Sequence, residues 1–185
     1  NQPLLEEAIR RLDEAAERYW AIPRGRSASY LSARARVMAS KLPRLESQSN
    51  EILEAARRTL RHKSEQNLVA ALDRFTRLRR YLDHHVEEQS LPTSEQSVLR
   101  NCLLAEADVM REMSRLEDAA AAYRAVELRY MNEPPALEAI LGRASCARRL
   151  GRTREANMLI RHASIVLDRI PTELNERFAE TTRYD

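Results

Sequence analysis

Residues 103–126 and 140–163 repeat each other at a fixed offset of 37, and that self-similarity limits what the chain can fold into more than any other feature. Leu103 and Leu104 return as Ile140 and Leu141, Ala107 as Ala144, Met113 as Leu150, Ala119 as Ala156 and Tyr123 as Ile160, while Ser114-Arg115 returns as Gly151-Arg152. Each copy reads as an apolar helix, a short turn and a second helix that opens near a small residue. Neither copy can bury its apolar face alone, so the pattern requires stacking. Three glycines and 5% aromatics argue against sheet, and the prevailing Ala, Leu, Arg and Glu are good helix formers. An all-α class follows.

Upstream, Leu5, Ile9, Leu12, Ala16 and Tyr19 fall at helical spacing, with Trp20 adjacent, and predict one amphipathic helix over about 3–20 that Pro23-Arg24-Gly25 ends. A second stretch begins near Ser29, is interrupted at Pro43 and resumes through Leu45, Ile52, Leu53, Ala56 and Leu60. A turn is expected at His62-Lys63-Ser64. Leu68, Leu72, Phe75, Leu82 and Val86 then trace a long helix to Gln89, with a near-heptad spacing suited to a hairpin with the helix before it. Matching Ala71 and Phe75 to Ala119 and Tyr123 makes this half a candidate degenerate repeat. The expected division is a helical bundle over 1–91, two repeats over 92–170 and a capping helix and tail over 171–185. Leu91-Pro92 marks the first boundary. Thr93 to Gln96 and Ser114 to Glu117 read as capping boxes, and Thr153 as a further cap. Beyond Pro171-Thr172, Leu174 and Phe178 predict a short last helix with a polar outer face of Glu173, Asn175, Glu176, Arg177 and Glu180.

Over residues 98–170 the chain resembles the tetratricopeptide repeat family, whose helix-turn-helix unit has a period of about 34 residues. The positions that carry the resemblance are Ala107 and Ala144 in the first helices, Ala119 and Ala156 opening the second, then Tyr123 and Ile160, Val126 and Ala163, with Gly151 and Ser114 as turn residues. The family's first-helix aromatic is replaced by Met110 and Ala147, and the longer period places extra residues around Asn132-Glu133-Pro134-Pro135. The resemblance implies antiparallel hairpins stacked as a short right-handed solenoid, with a groove that accepts a peptide or a protein face. The groove positions are Asn101, Leu104, Asp108 and Arg111 in the first copy and Glu138, Leu141, Ser145 and Arg148 in the second. Leu104, Asp108, Leu141 and Ser145 stand where the family's carboxylate clamp would be, so chaperone-tail binding is not implied. The segment from Tyr123 to Ala156 is also similar to bacterial envelope-assembly lipoproteins built from such repeats. The implied role is a bacterial adaptor, cytoplasmic or periplasmic; a chain that starts at Asn1 leaves room for a leader removed before it.

No nucleophile elbow, phosphate loop or Cys/His zinc pattern is present, and the expectation is a non-enzyme without metal or cofactor. His84 and Glu88 share a helix face at i, i+4, but two ligands do not make a site. Cys102 and Cys146 lie in the first helix of each copy and read as buried thiols. No apolar run is long enough to span a membrane. Charge is uneven. Arg57, Arg58, Arg61, Lys63, Arg74, Arg77, Arg79 and Arg80 stand against only Glu65 and Asp73, and from Asp83 to Asp118 acids prevail. The alternative function is therefore a nucleic-acid or anionic surface bound through Arg57, Arg58, Arg61, Arg74, Arg77 and Arg80. Base-stacking aromatics are lacking there. Self-association as a homodimer is a third expectation, because a two-copy array leaves apolar faces open.

Overall fold

The computed structural model describes residues 2–48, 53–88 and 91–174, and there the protein is all helix, with no strand. Seven helices lie wholly within the described residues: α1 (Gln2–Arg18), α2 (Pro23–Glu46), α3 (Glu54–Glu88), α4 (Thr93–Glu112), α5 (Leu116–Arg129), α6 (Pro134–Arg149) and α7 (Thr153–Leu167). The chain divides into two compact units, Asn1–Val98 and Leu99–Asp185, the division falling inside α4.

In the first unit α2 packs against both α1 and α3. Buried Leu68, Ala71, Phe75, Leu78 and Leu82 form a 3–4 seam along α3, and the Phe75 ring meets Tyr30 of α2 with centroids 5.8 Å apart. One carboxylate joins all three helices: Asp13 accepts from the Ser32 hydroxyl, from Arg36 at 2.5 Å and from Arg74 at 2.9 Å. A second, fully enclosed pair holds the first turn of α4. Arg26 donates to Glu95, to the Trp20 carbonyl at 3.0 Å and to the Tyr81 hydroxyl at 3.4 Å, and its guanidinium lies over the Tyr81 ring. Arg26 and Glu95 are both buried, so each charge needs the other.

Three expectations for this half are corrected. Pro23-Arg24-Gly25 ends nothing and instead opens α2, since Pro23 occupies the first turn, where no backbone N–H is needed. Gly25 lets the chain close there: a Cβ on it would lie 1.9 Å from the Tyr19 carbonyl oxygen. Pro43 does not interrupt α2, because it sits in the last turn, where one bond is lost and Ser47 N–H caps its carbonyl at 3.0 Å. The turn at His62-Lys63-Ser64 is absent. These residues have neither the glycine nor the proline needed to stop a helix, and α3 runs through them for 35 residues. The Ser64 hydroxyl donates to the Ser40 carbonyl of α2 at 2.9 Å, and Lys63 pairs with Glu6 at 3.0 Å. The hairpin partner of the long helix is therefore α2. Expected Ile52 and Gln89 lie outside the described residues.

In the second unit the two copies end their first helices in the same way. Ser114 (φ 61°) and Gly151 (φ 76°) adopt the left-handed conformation. Their N–H groups bond Arg111 and Arg148 carbonyls, and the next residues' N–H groups, of Arg115 and Arg152, bond Met110 and Ala147. These are Schellman turns. Ser114 and Thr153 are consequently not N-caps: Arg115 and Arg152 hold those positions, without side-chain cap bonds. Thr93 is likewise the first helical residue of α4, and the Gln96 amide donates to the Leu91 carbonyl at 2.8 Å. Between α5 and α6, Asn132 (φ 62°) turns the chain and Pro134-Pro135 open the next helix.

The copies interlock through Tyr123. Its ring lies against Gly142, where an added Cβ would come within 2.5 Å of the ring carbons. Leu104, Ala107, Ala119, Tyr123, Val126, Ala139 and Cys146 form one buried cluster around this contact. A second cluster joins Ile140, Ala144, Ala156, Leu159, Ala163 and Val166, with Leu174 packed against it. Ile160, the counterpart of Tyr123, is exposed instead of buried, and Leu159 takes the core position. Residues 172–174 are helical; Phe178 and the rest of the expected capping helix lie outside the described residues.

Two glycine substitutions separate packing from backbone strain. Gly142→Ala drives a methyl into the buried Tyr123 ring and is expected to lower stability by about 1–3 kcal/mol. Gly151→Ala has open space around its Cβ; its cost is expected to be about 1–2 kcal/mol, from the left-handed backbone alone. Urea unfolding followed by circular dichroism measures both.

Candidate partner-binding surface on the second unit

On α6 the expected residues Glu138, Leu141, Ser145 and Arg148 follow each other at steps of three, four and three, which places them on one stripe of the helix. Leu141 and Arg148 are exposed, and Glu138 and Ser145 half-buried. The stripe begins near Pro134-Pro135, where the prolines fix the start of α6, and runs to the Gly151 turn.

The matching stripe on α4 is different. Asn101 is buried, and Leu104 is completely enclosed in the cluster with Ala107 and Tyr123. Leu104 is a core residue and cannot touch a partner. Asp108 and Arg111 are half-buried and already engaged. The Tyr123 hydroxyl donates to Asp108, Arg111 pairs with Asp108 at 3.0 Å, and the Arg111 guanidinium stands 5.9 Å from the Tyr123 ring centre. Burial works against the charge of Arg111, but the neighbouring Tyr123 oxygen and Asp108 more than offset it, and its pKa is raised.

Two arginines of the second copy reach back to the first. Arg149 donates to the Arg111 carbonyl at 2.7 Å and to the Ser114 hydroxyl at 3.1 Å, so it caps the end of α4. Arg152 grips both oxygens of Glu117. Neither contact was anticipated from the residues. The signal lay in the period: Arg149 and Arg152 stand one repeat beyond Glu112 and Arg115, at the turn where successive copies meet. Arg148, next to Arg149, has no such bond among the described residues and remains open to solvent.

The basic residues of α3 do not form one patch. Arg57 pairs with Glu54 at 3.0 Å, Arg74 with Asp13, Arg79 with Asp83 at 3.0 Å, and Arg77 lies over the Trp20 ring at 5.0 Å. Arg58, Arg61 and Arg80 are exposed. Arg61 and Arg80 are 19 residues apart, about 28 Å along a helix.

Among the described residues no three His, Cys, Asp or Glu side chains converge on a point. His84 is exposed, and the His85 ring instead bonds the Tyr81 carbonyl at 2.8 Å; the side chains of Glu87 and Glu88 lie outside the described set. Cys102 and Cys146 are buried free thiols. Burial pushes the Cys146 thiol above its ordinary pKa, against the pull of Arg111 and Arg149. Among the described residues no helix is long and apolar enough to cross a membrane. No family model, no curated protein and no solved structure matches the chain.

The enclosed thiols should be unreactive in the folded protein. Iodoacetamide at neutral pH is expected to leave both cysteines intact in buffer and to label both in urea, as mass spectrometry reads directly. Labelling of Cys146 in buffer as fast as in urea would contradict the packing of α6 on α5.

Proposed function

We propose that the chain is a non-catalytic protein-binding module, and that its second unit holds a peptide or protein face along the α6 stripe of Glu138, Leu141, Ser145 and Arg148. The observation that carries this reading is the contrast between α4 and α6. The α4 stripe is spent on the core and on the Asp108–Tyr123–Arg111 network, whereas the α6 stripe keeps an apolar, a small polar and a basic side chain free of core duties. Identical Schellman turns at the offset of 37 support a repeat of the tetratricopeptide kind, in which first helices line the binding groove. A bacterial adaptor remains the fitting description of such a module.

The nucleic-acid alternative draws less support, because three of its six arginines are engaged by Glu54, Asp13 and Trp20, and Arg80 stands far along α3 from Arg58 and Arg61. Phosphate binding needs clustered, uncommitted charge.

The test is affinity capture with variants chosen from the accessible stripe. Leu141→Glu with Arg148→Glu is expected to abolish capture of a protein partner while far-ultraviolet circular dichroism stays unchanged. Arg111 is a poor probe, since reversing it would set two carboxylates against each other at Asp108. Capture that survives the α6 changes, and that yields nuclease-sensitive material lost on Arg58→Ser, Arg61→Ser and Arg80→Ser, would transfer the function to α3.

A further inference from the structure

A second surface, on the first unit, has a pattern of its own. Along α2, Leu31, Ala35, Met38, Leu42 and Leu45 follow at steps of four, three, four and three. That is the 3.5-residue spacing of a helix-pairing seam. Ala35 is buried at its edge, but Leu31, Met38, Leu42 and Leu45 are 46%, 57%, 44% and 64% exposed, so an apolar row about 21 Å long faces outward. Single exposed apolar side chains are ordinary; four in register on one helix are not.

The seam has one basic border, and Glu46 stands at the end of the other. Arg34 and Lys41 lie seven residues apart along the same edge. Arg34 lies over the Tyr30 ring at 5.9 Å, and neither base has a carboxylate partner among the described residues. From Pro23 to Leu45 the helix contains no acid at all, and the buried Arg26 and half-buried Arg36 are taken by Glu95 and Asp13. We propose that this face of α2 docks an amphipathic α-helix of another protein, apolar at 3.5-residue spacing and acidic along the edge that meets Arg34 and Lys41.

Charge and width select this occupant. A second copy paired antiparallel would set Arg34 and Lys41 against themselves, and paired parallel would leave Arg34 opposite the buried Ala39, with Glu46 facing Lys41 alone. An interfacial membrane helix sinks an apolar sector of about 100° or more. The four exposed side chains here span only about 60° at the helical rotation per residue. A single-file row with a basic edge fits another helix.

The test uses the full chain and two synthetic three-heptad peptides with the same leucine seam, one with Glu and one with Lys at the flanking positions, titrated by fluorescence anisotropy. The Glu peptide is expected to bind, and about tenfold or more tighter than the Lys peptide. Met38→Ser with Leu42→Ser should abolish binding, and Arg34→Glu with Lys41→Glu should reverse the preference. Both pairs are surface changes, with circular dichroism as the check on folding. The Leu141→Glu/Arg148→Glu variant should bind the Glu peptide as the parent does, which separates this surface from the one on α6. No binding of either peptide, equal binding of both, or binding retained after the Met38/Leu42 change overturns the proposal. So does a dimer in sedimentation, or attachment to phosphatidylglycerol vesicles, that the Met38/Leu42 change abolishes in the absence of peptide binding.

Discussion

The second unit depends on one missing methyl group. Because Gly142 has no side chain, the Tyr123 ring can lie directly on α6, and its hydroxyl then reaches Asp108 on α4. Three helices from two repeats are thereby fixed by one residue: the ring excludes water between α5 and α6, and the hydroxyl satisfies a half-buried carboxylate that also holds Arg111. The backbone of the turn is drawn into the same arrangement, since Arg149 caps the Arg111 carbonyl. Apolar burial, a polar network and a helix end are thus coupled, and the α6 stripe is left over because none of its residues is needed for this work.

The first unit solves a different problem. Its helices are rich in arginine, and two carboxylates organise that charge. Asp13 collects Arg36 and Arg74 from α2 and α3 where the three helices meet, and Glu95 neutralises an arginine that would otherwise be buried alone. Removing one partner from such a buried pair leaves an uncompensated charge, at a cost of about 3–5 kcal/mol, even where the intact pair adds little stability. On α2, Arg34 and Lys41, which neither acid reaches, border an apolar row.

Much of this was legible before any coordinates. The offset of 37 located α4 to α7, the small residues at 107, 119 and 144 marked the close approaches, and helix-forming composition gave the all-α class. What failed was punctuation. Pro23, Pro43 and Ser114 are residues that stop helices in one register and start or finish them in another, and only the backbone shows that Pro23 opens α2, that Pro43 falls in its last turn, and that Ser114 takes a left-handed conformation otherwise suited to glycine. The stripe positions on α6 were implied by the resemblance to the tetratricopeptide repeat, and their spacing sets them on one face of the helix. That Leu104 and Asn101 are buried was not, because helical spacing says which residues share a face and not whether another element covers it. Long-range pairs such as Asp13 with Arg74 or Arg26 with Glu95 leave no local trace in the sequence.

The contact of Tyr123 with Gly142 makes the two copies one body, and a single body opens cooperatively. Residue-resolved hydrogen exchange tests this most directly, because amides that open together report a shared unit. Core amides of α5, α6 and α7 are expected to exchange with one common free energy, and Gly142→Ala should lower it in all three helices alike. Exchange of α5 at a markedly lower free energy than α6 and α7, with Gly142→Ala affecting only one hairpin, would contradict the account.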